Sequence, residues 1–216
     1  MRHSITELKG IHKGQDLWVI AAGPSMDYVN PSFFEGKITI GVNEVFHKYV
    51  CNYYVRKETM QEGAMAEFFT SHPECKLVMS KHSYGHLGLP KNEVPYDHWI
   101  FEHGWLSGAV GGLSGLNLGT LDTDELIVSG STITSAIHLA YYLGAHNIIL
   151  CGHDCGSLDG KNIIKEYPDE ERDGEWLGLI ERDTMELRDA LKARGVNVYS
   201  LNPFINIGLE GHSYSK

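Results

Sequence analysis

Several short clusters in this chain combine small, polar and titratable residues in ways that suit ligand chemistry. Ala21-Ala22-Gly23-Pro24-Ser25 closes an apolar run. There Gly23 lets backbone approach a ligand closely, Pro24 stiffens the loop, and Ser25 offers a hydroxyl and an N–H. The same three residues also make a plain structural turn. Ser129-Gly130-Ser131 stands between an apolar run and a helical pattern. It sets hydroxyls and free N–H groups at the positive end of a helix, which suits a phosphate or a carboxylate. Without a ligand, Ser131 is simply a good N-cap. Neither cluster is GxGxxG, and no lysine follows Gly130 as a Walker A loop requires.

Single residues extend the set. Asn43 closes a strand-like run, where its amide reads a base or sugar edge or forms a turn. Asp154 follows the most apolar strand pattern, placed to bind a ribose hydroxyl, activate an acceptor, hold Mg²⁺ or cap the next turn. His153 beside it is a candidate general base, because imidazole titrates near neutral pH, or a structurally bonded histidine. Cys151-Gly-His-Asp-Cys155 has metal-ligand residue types, but alternation at a strand end scatters them. His82 and His86 are four apart, with Gly85 against the helix that would align them. Asp159, Glu166, Asp169, Glu170, Glu171 and Asp173 read as a solvated acidic loop, or as a source of Mg²⁺ ligands with substrate phosphates.

Composition sets limits on partners. The 216 residues carry a formal net charge of -10, with 42% hydrophobic and 21% charged residues. That describes a folded globule with room for a sizeable core. The acidic surface argues against broad nucleic-acid binding; Arg56-Lys57 is too small a basic cluster for a duplex footprint. Four cysteines without a CxxC pair read as reduced thiols of a cytoplasmic protein. The start has no apolar signal segment, and no run approaches the ~18 apolar residues of a spanning helix.

The elements that position these residues follow from periodicity. Strands are expected at 16–22, 37–42, 52–56, 76–79, 125–129, 147–151 and 196–201, and helices at 59–70, 132–143 and 175–194. Between 81 and 124 the glycines and prolines predict an irregular insertion, its Gly-rich part, 104–119, being either a lid or a plain connection. Alternating strands and helices predict one α/β domain, Rossmann-like, with a mostly parallel sheet and helices on both faces. Ligands of such sheets bind beyond the carboxyl ends of the strands. That rule gathers Gly23 to Ser25, Asn43, Arg56 to Glu58, Ser129 to Ser131 and Gly152 to Asp154 at one edge.

The order of these blocks is similar to that of a known superfamily. Trp18-Val-Ile-Ala-Ala-Gly-Pro-Ser-Met, Ile38-Thr-Ile-Gly-Val-Asn43 and the run from Gly130 to Asp154 resemble bacterial sialyltransferase-like glycosyltransferases. The same superfamily joins these to the 6-hydroxymethylpterin diphosphokinase-like domains, which also occur in flagellin-glycosylation accessory factors. The likeness spans 15–155 and returns at 196–203. It implies that Gly23, Pro24, Ser25, Asn43 and Ser129 to Ser131 hold a nucleotide-sugar, with a CMP-sugar favoured by Gly-Val-Asn43. The transferases carry a general-base histidine just before their long C-terminal helix; this chain has Glu175-Trp-Leu-Gly there. Three functions stay open. A glycosyltransferase-like enzyme would require no cofactor, with His153 or Asp154 as base. A diphosphotransferase would require Mg²⁺, and an accessory protein would bind the nucleotide without chemistry.

Overall fold

The computed structural model describes residues 1–57, 62–81, 96–104, 115–158, 160–165 and 174–201, with the backbone alone at 62, 174 and 175. The strands are β1 (Arg2–Ser4), β2 (Asp16–Ile20), β3 (Ile38–Val42), β4 (Tyr53–Arg56), β5 (Lys76–Ser80), β6 (His98–Gly104), β7 (Glu125–Ile127), β8 (Asn147–Cys151) and β9 (Asn197–Ser200). The α-helices are α1 (Glu62–Ser71), α2 (Thr132–Tyr142) and α3 (Gly174–Lys192).

The sheet order is β1-β6-β5-β4-β3-β2-β8-β9, with β7 pairing the last residues of β6. Every pair is parallel. From β2 the chain winds outward through β3, β4, β5 and β6. It then crosses back under the sheet through α2 and lays β8 on the other side of β2. The winding therefore reverses at β2, and the crevice at its carboxyl end is the place where open α/β sheets bind ligands.

Period-two alternation divides the strand side chains between two cores. Leu17, Val19, Ile40, Val42, Val55, Val78, Ile148 and Leu150 pack with α2 and α3. Ile20, Tyr54, Leu77, Met79, Ile149 and Cys151 point the other way, against Met65 and Phe69 of α1 and the short turns after β2 and β3. Burial on both faces is why these strands are nearly continuous apolar runs. Helix α2 is enclosed almost all round, so its polar residues are bonded internally. Ser135 donates to the Ile127 carbonyl at 2.8 Å, and His138 Nδ1 accepts from the Ile127 N–H at 2.9 Å. Side chains of α2 thus complete the backbone bonding of the three-residue strand β7.

The stretch expected to be irregular contains β6 and a 3-10 turn over Leu118–Asp122. The run His98-Trp-Ile-Phe-Glu-His-Gly is bounded by Pro95 and Gly104, and its aromatic and β-branched residues outweigh the flanking breakers. Strand β1 was also not expected, since three residues show no periodicity; it forms by pairing with β6. Most of 104–119 lies outside the described residues, as do Glu58, His82, His86, Asp159 and Glu166 to Asp173. Among the described residues no helix is long and apolar enough to cross a membrane.

Candidate functional site

The turns that leave β2 and β8 interlock. The Gly23 N–H donates to the Gly152 carbonyl at 2.8 Å. Ser25 then donates its N–H to Asp154 Oδ2 and its hydroxyl proton to Asp154 Oδ1, both at 2.7 Å. A Cβ on Gly23 would stand 2.2 Å from the Gly152 oxygen and 2.6 Å from Asp154 Oδ2, so only glycine fits. Gly152 has φ +67 and would clash with Met26 and the Ala21 carbonyl if substituted. Close approach thus governs Gly23, but the group approached is the neighbouring turn. Pro24 opens a 3-10 turn over Pro24–Tyr28. That turn is anchored from below, where the Tyr49 hydroxyl donates to the carbonyls of Met26 and Val29 and Lys48 pairs with Asp27 at 2.8 Å.

Asp154 is 2% exposed. Burial raises its carboxyl above the usual range, opposed by the two bonds from Ser25. His153, its neighbour in sequence, bonds elsewhere. Its buried ring has Nε2 3.5 Å from the Cys155 sulfur. Burial lowers its pKa to about 4, so the imidazole is neutral at pH 7. Cys155 has a positive φ of 48, an unusual conformation for a side-chain-bearing residue. Cys151 faces the opposite core, and all four cysteines are free. Among the described residues no group of three or more His, Cys, Asp or Glu side chains could hold a metal ion.

A second group forms where β3, β4 and α2 meet. Lys57, just beyond β4, is buried and donates from Nζ to the Ser129 carbonyl at 2.8 Å. This bond ties the N-terminus of α2 to the carboxyl edge of the sheet. Ser129 is buried and its hydroxyl meets Thr134 Oγ1 at 3.1 Å. Ser131 caps α2, accepting from the Ile133 N–H at 3.4 Å, while its own N–H reaches Ser129 Oγ at 3.3 Å. Gly130 packs under the Trp176 indole of α3. Asn43 is half-buried with φ 54, a strained position at the start of the 3-10 turn Asn43–His47. Next to it, buried Glu44 pairs with Arg56 at 2.5 Å and with His47 at 3.4 Å.

The expected residues therefore fall into two adjoining groups. Gly23, Pro24, Ser25 and Asp154 share one hydrogen-bonded unit at the β2–β8 reversal. Asn43 and Ser129 to Ser131 are joined through Glu44, Arg56 and Lys57. His153 belongs to neither, since its ring contacts Cys155. Two features carry no signal in sequence. One is the Lys57–Ser129 bond, between residues 72 apart. The other is the hydrogen bond between Ser80 Oγ and His103 Nε2 at the ends of β5 and β6. Both join residues that only the sheet order brings together.

No protein-family model matches the chain, and no curated protein matches it. Among solved structures it is similar to a MAf glycosyltransferase from Magnetospirillum magneticum AMB-1, at 12% identity and a TM-score of 0.50. The match covers 96% of this chain and 39% of that one, so the chain spans well under half the length of this neighbour. At that identity the likeness concerns the fold alone, an α/β domain with a mostly parallel sheet.

Proposed function

We propose that the chain binds a nucleotide-activated sugar at the carboxyl edge of its sheet and acts as a glycosyltransferase, with a CMP-sugar the favoured donor. One observation carries this reading. Lys57 holds the Ser129 carbonyl, and so fixes the N-terminus of α2 beside a buried cation at the carboxyl ends of the strands. In a chain of net charge -10 this is a local electropositive spot, suited to a phosphate. The adjoining Gly23–Ser25 turn, whose own donors go to Gly152 and Asp154, shapes the same crevice, and the strained Asn43 offers its side-chain amide there. The fold of the bacterial glycosyltransferase neighbour adds support.

In this reading an acceptor oxygen attacks the anomeric carbon of the donor sugar. The bond from that carbon to the phosphate oxygen breaks, and the electron pair leaves with the nucleotide. Lys57 and the α2 N–H groups stabilise the departing phosphate. Asp154 acts through Ser25 as a positioning residue for the turn. His153, neutral at pH 7, has the protonation state a general base needs. One fact favours a second reading, in which the chain binds the nucleotide without chemistry: Asp154 and His153 are both buried and bonded to the protein itself. A diphosphotransferase that uses Mg²⁺ is the third, and nothing in the described residues favours it.

Thermal unfolding in the presence of CMP, UDP-sugars, GDP-sugars and ATP, each with and without Mg²⁺, tests the proposal. Metal-independent stabilisation by CMP or a CMP-sugar is expected. Stabilisation by ATP and Mg²⁺ alone would move the chain to the diphosphotransferase class. A lack of response to every nucleotide would sink the binding reading itself.

A further inference from the structure

Three polar side chains stand in one row at the carboxyl edge, one from each of three neighbouring strands. Val55, Val78 and Phe101 all point into the core shared with α2. Two residues further along each chain segment come Lys57, Ser80 and His103, which alternation places on that same face. The register pairs Val55 with Val78 and Arg56 with Met79, and one step more sets Lys57 beside Ser80. Ser80 is in turn hydrogen-bonded through Oγ to His103 Nε2. Lys57 and Ser80 are buried, at 9% and 1% exposure, and His103 is half-buried.

The last pairing of β5 with β6 joins Ser80 to Phe101, so the imidazole lies beyond the ladder. Ser80 Oγ accepts from an Nε2–H, and it does so whether the ring is neutral or charged. The serine thus fixes the ring without fixing its charge. The charges on the surrounding elements have settled places. Lys81, after β5, pairs with Glu102, whose side chain alternates to the opposite face. Glu125 of β7 stands opposite Glu102, while His103 is paired with Leu126. In the turn before β7, Asp122 pairs with Arg194 and Asp124 with Lys9. On α2, His138 bonds to Ile127 and Leu121. The charge that shares the row of His103 is Lys57.

A phosphate beside Lys57 therefore lies beside the imidazole as well. Imidazole titrates near neutral pH, and an anion next to it favours the charged form. Such coupling is reciprocal, so the charged ring favours the anion by the same factor. We infer that His103, held by Ser80, is the second cation of the phosphate site, and that the nucleotide binds with uptake of a proton at His103. The inference rests on the nucleotide reading above and adds a regulation of that site, tighter binding in mild acid and weaker binding as the pH rises.

Calorimetric titration of the whole chain with the 5′-methyl phosphate esters of cytidine, uridine, guanosine and adenosine tests it. These diesters neither gain nor lose a phosphate proton between pH 6 and pH 8, so any proton exchanged belongs to the protein. The ester that binds should do so at least about fivefold more tightly at pH 6 than at pH 8. Titrations at pH 7 in buffers of different ionisation enthalpy should show net proton uptake. In His103→Gln the pH dependence and the uptake should both disappear, with the affinity at pH 8 little changed. Ser80→Ala should weaken the pH dependence, and Ser80→Thr, which keeps the hydroxyl, should restore it. Urea midpoints establish that each variant is folded. Equal affinity at both pH values without proton uptake in wild type overturns the role of His103 and leaves nucleotide binding standing, whether or not a variant folds. Uptake that persists in folded His103→Gln overturns the assignment to this residue, and full pH dependence in Ser80→Ala overturns the role of the serine. No binding of any ester at either pH overturns the nucleotide reading and the inference with it.

Discussion

Ser25 gives both its backbone N–H and its hydroxyl proton to the carboxylate of Asp154, a residue 129 positions further along the chain. The bond closes the crevice where the sheet reverses its winding, and it decides the shape of the first loop after β2. Asp154→Ala leaves a buried N–H and a buried hydroxyl without their acceptor. The expected loss of stability is about 1–3 kcal/mol, measured by urea unfolding. Asp154→Asn keeps an acceptor for the N–H and removes a buried charge, so its loss should be much smaller. Nucleotide affinity should fall in the alanine variant and largely survive in the asparagine one, as a positioning role requires.

Gly23 and Gly130 should respond differently to alanine. At Gly23 the new Cβ meets the Gly152 carbonyl oxygen at 2.2 Å and the Asp154 carboxylate at 2.6 Å, and neither can yield without breaking the clamp. Gly23→Ala should cost about 1–3 kcal/mol or more and abolish ligand binding. At Gly130 the obstacle is the edge of the Trp176 side chain at 2.8 Å, which can shift. Gly130→Ala should therefore unfold at nearly the wild-type denaturant concentration but bind nucleotide more weakly. Paired unfolding curves and titrations of the two variants check this.

Acid should destabilise the fold through its buried histidines. His138 Nδ1 accepts a hydrogen bond from the Ile127 N–H, which fixes the neutral tautomer with Nε2–H toward the Leu121 carbonyl. Burial lowers both His138 and His153 from 6.5 to about 4. Groups with a lowered folded pKa disfavour the proton in the native state. Their contribution is complete above pH 6.5 and is lost progressively as the pH falls toward 4. At pH 5 the loss is about 2 kcal/mol for each histidine, by linkage. Asp154, raised by burial, opposes this in part, since the folded state takes up its proton more readily. Urea midpoints at pH 7.5 and pH 5 should differ clearly, and His153→Gln should narrow the gap; a midpoint constant over that range would contradict the buried placement.

Lys57 links stability to binding. Lys57→Met removes the bond to the Ser129 carbonyl and the buried positive charge beside α2. Affinity for a nucleotide should fall about tenfold, or 1.4 kcal/mol. The remaining affinity should depend less on salt, because one cation has left the site. Titration at two ionic strengths measures both effects.

Sequence periodicity located β8 to the residue and α2 to within one residue of its end, because both are long, apolar and cleanly stopped. Gly144 after α2 has φ +98, the left-handed stop expected of it. The misses have a common physical origin. Strand β1 owes its existence to pairing with β6, and β6 is itself held between β1 and β5, contacts that leave no local period. At the site, Ser25 and Asp154 were each legible as ligand-facing groups. That they face one another depends on β2 and β8 being neighbours, which sequence order conceals.

The central claim is that a nucleotide phosphate rests at the N-terminus of α2, beside Lys57. A crystal structure of the chain grown with saturating CMP tests it most directly. The account predicts phosphate density at the N-terminus of α2, within hydrogen-bond distance of the Thr132 N–H. A phosphate located away from that edge, or crystals and titrations that show no CMP bound at millimolar concentration, would contradict it.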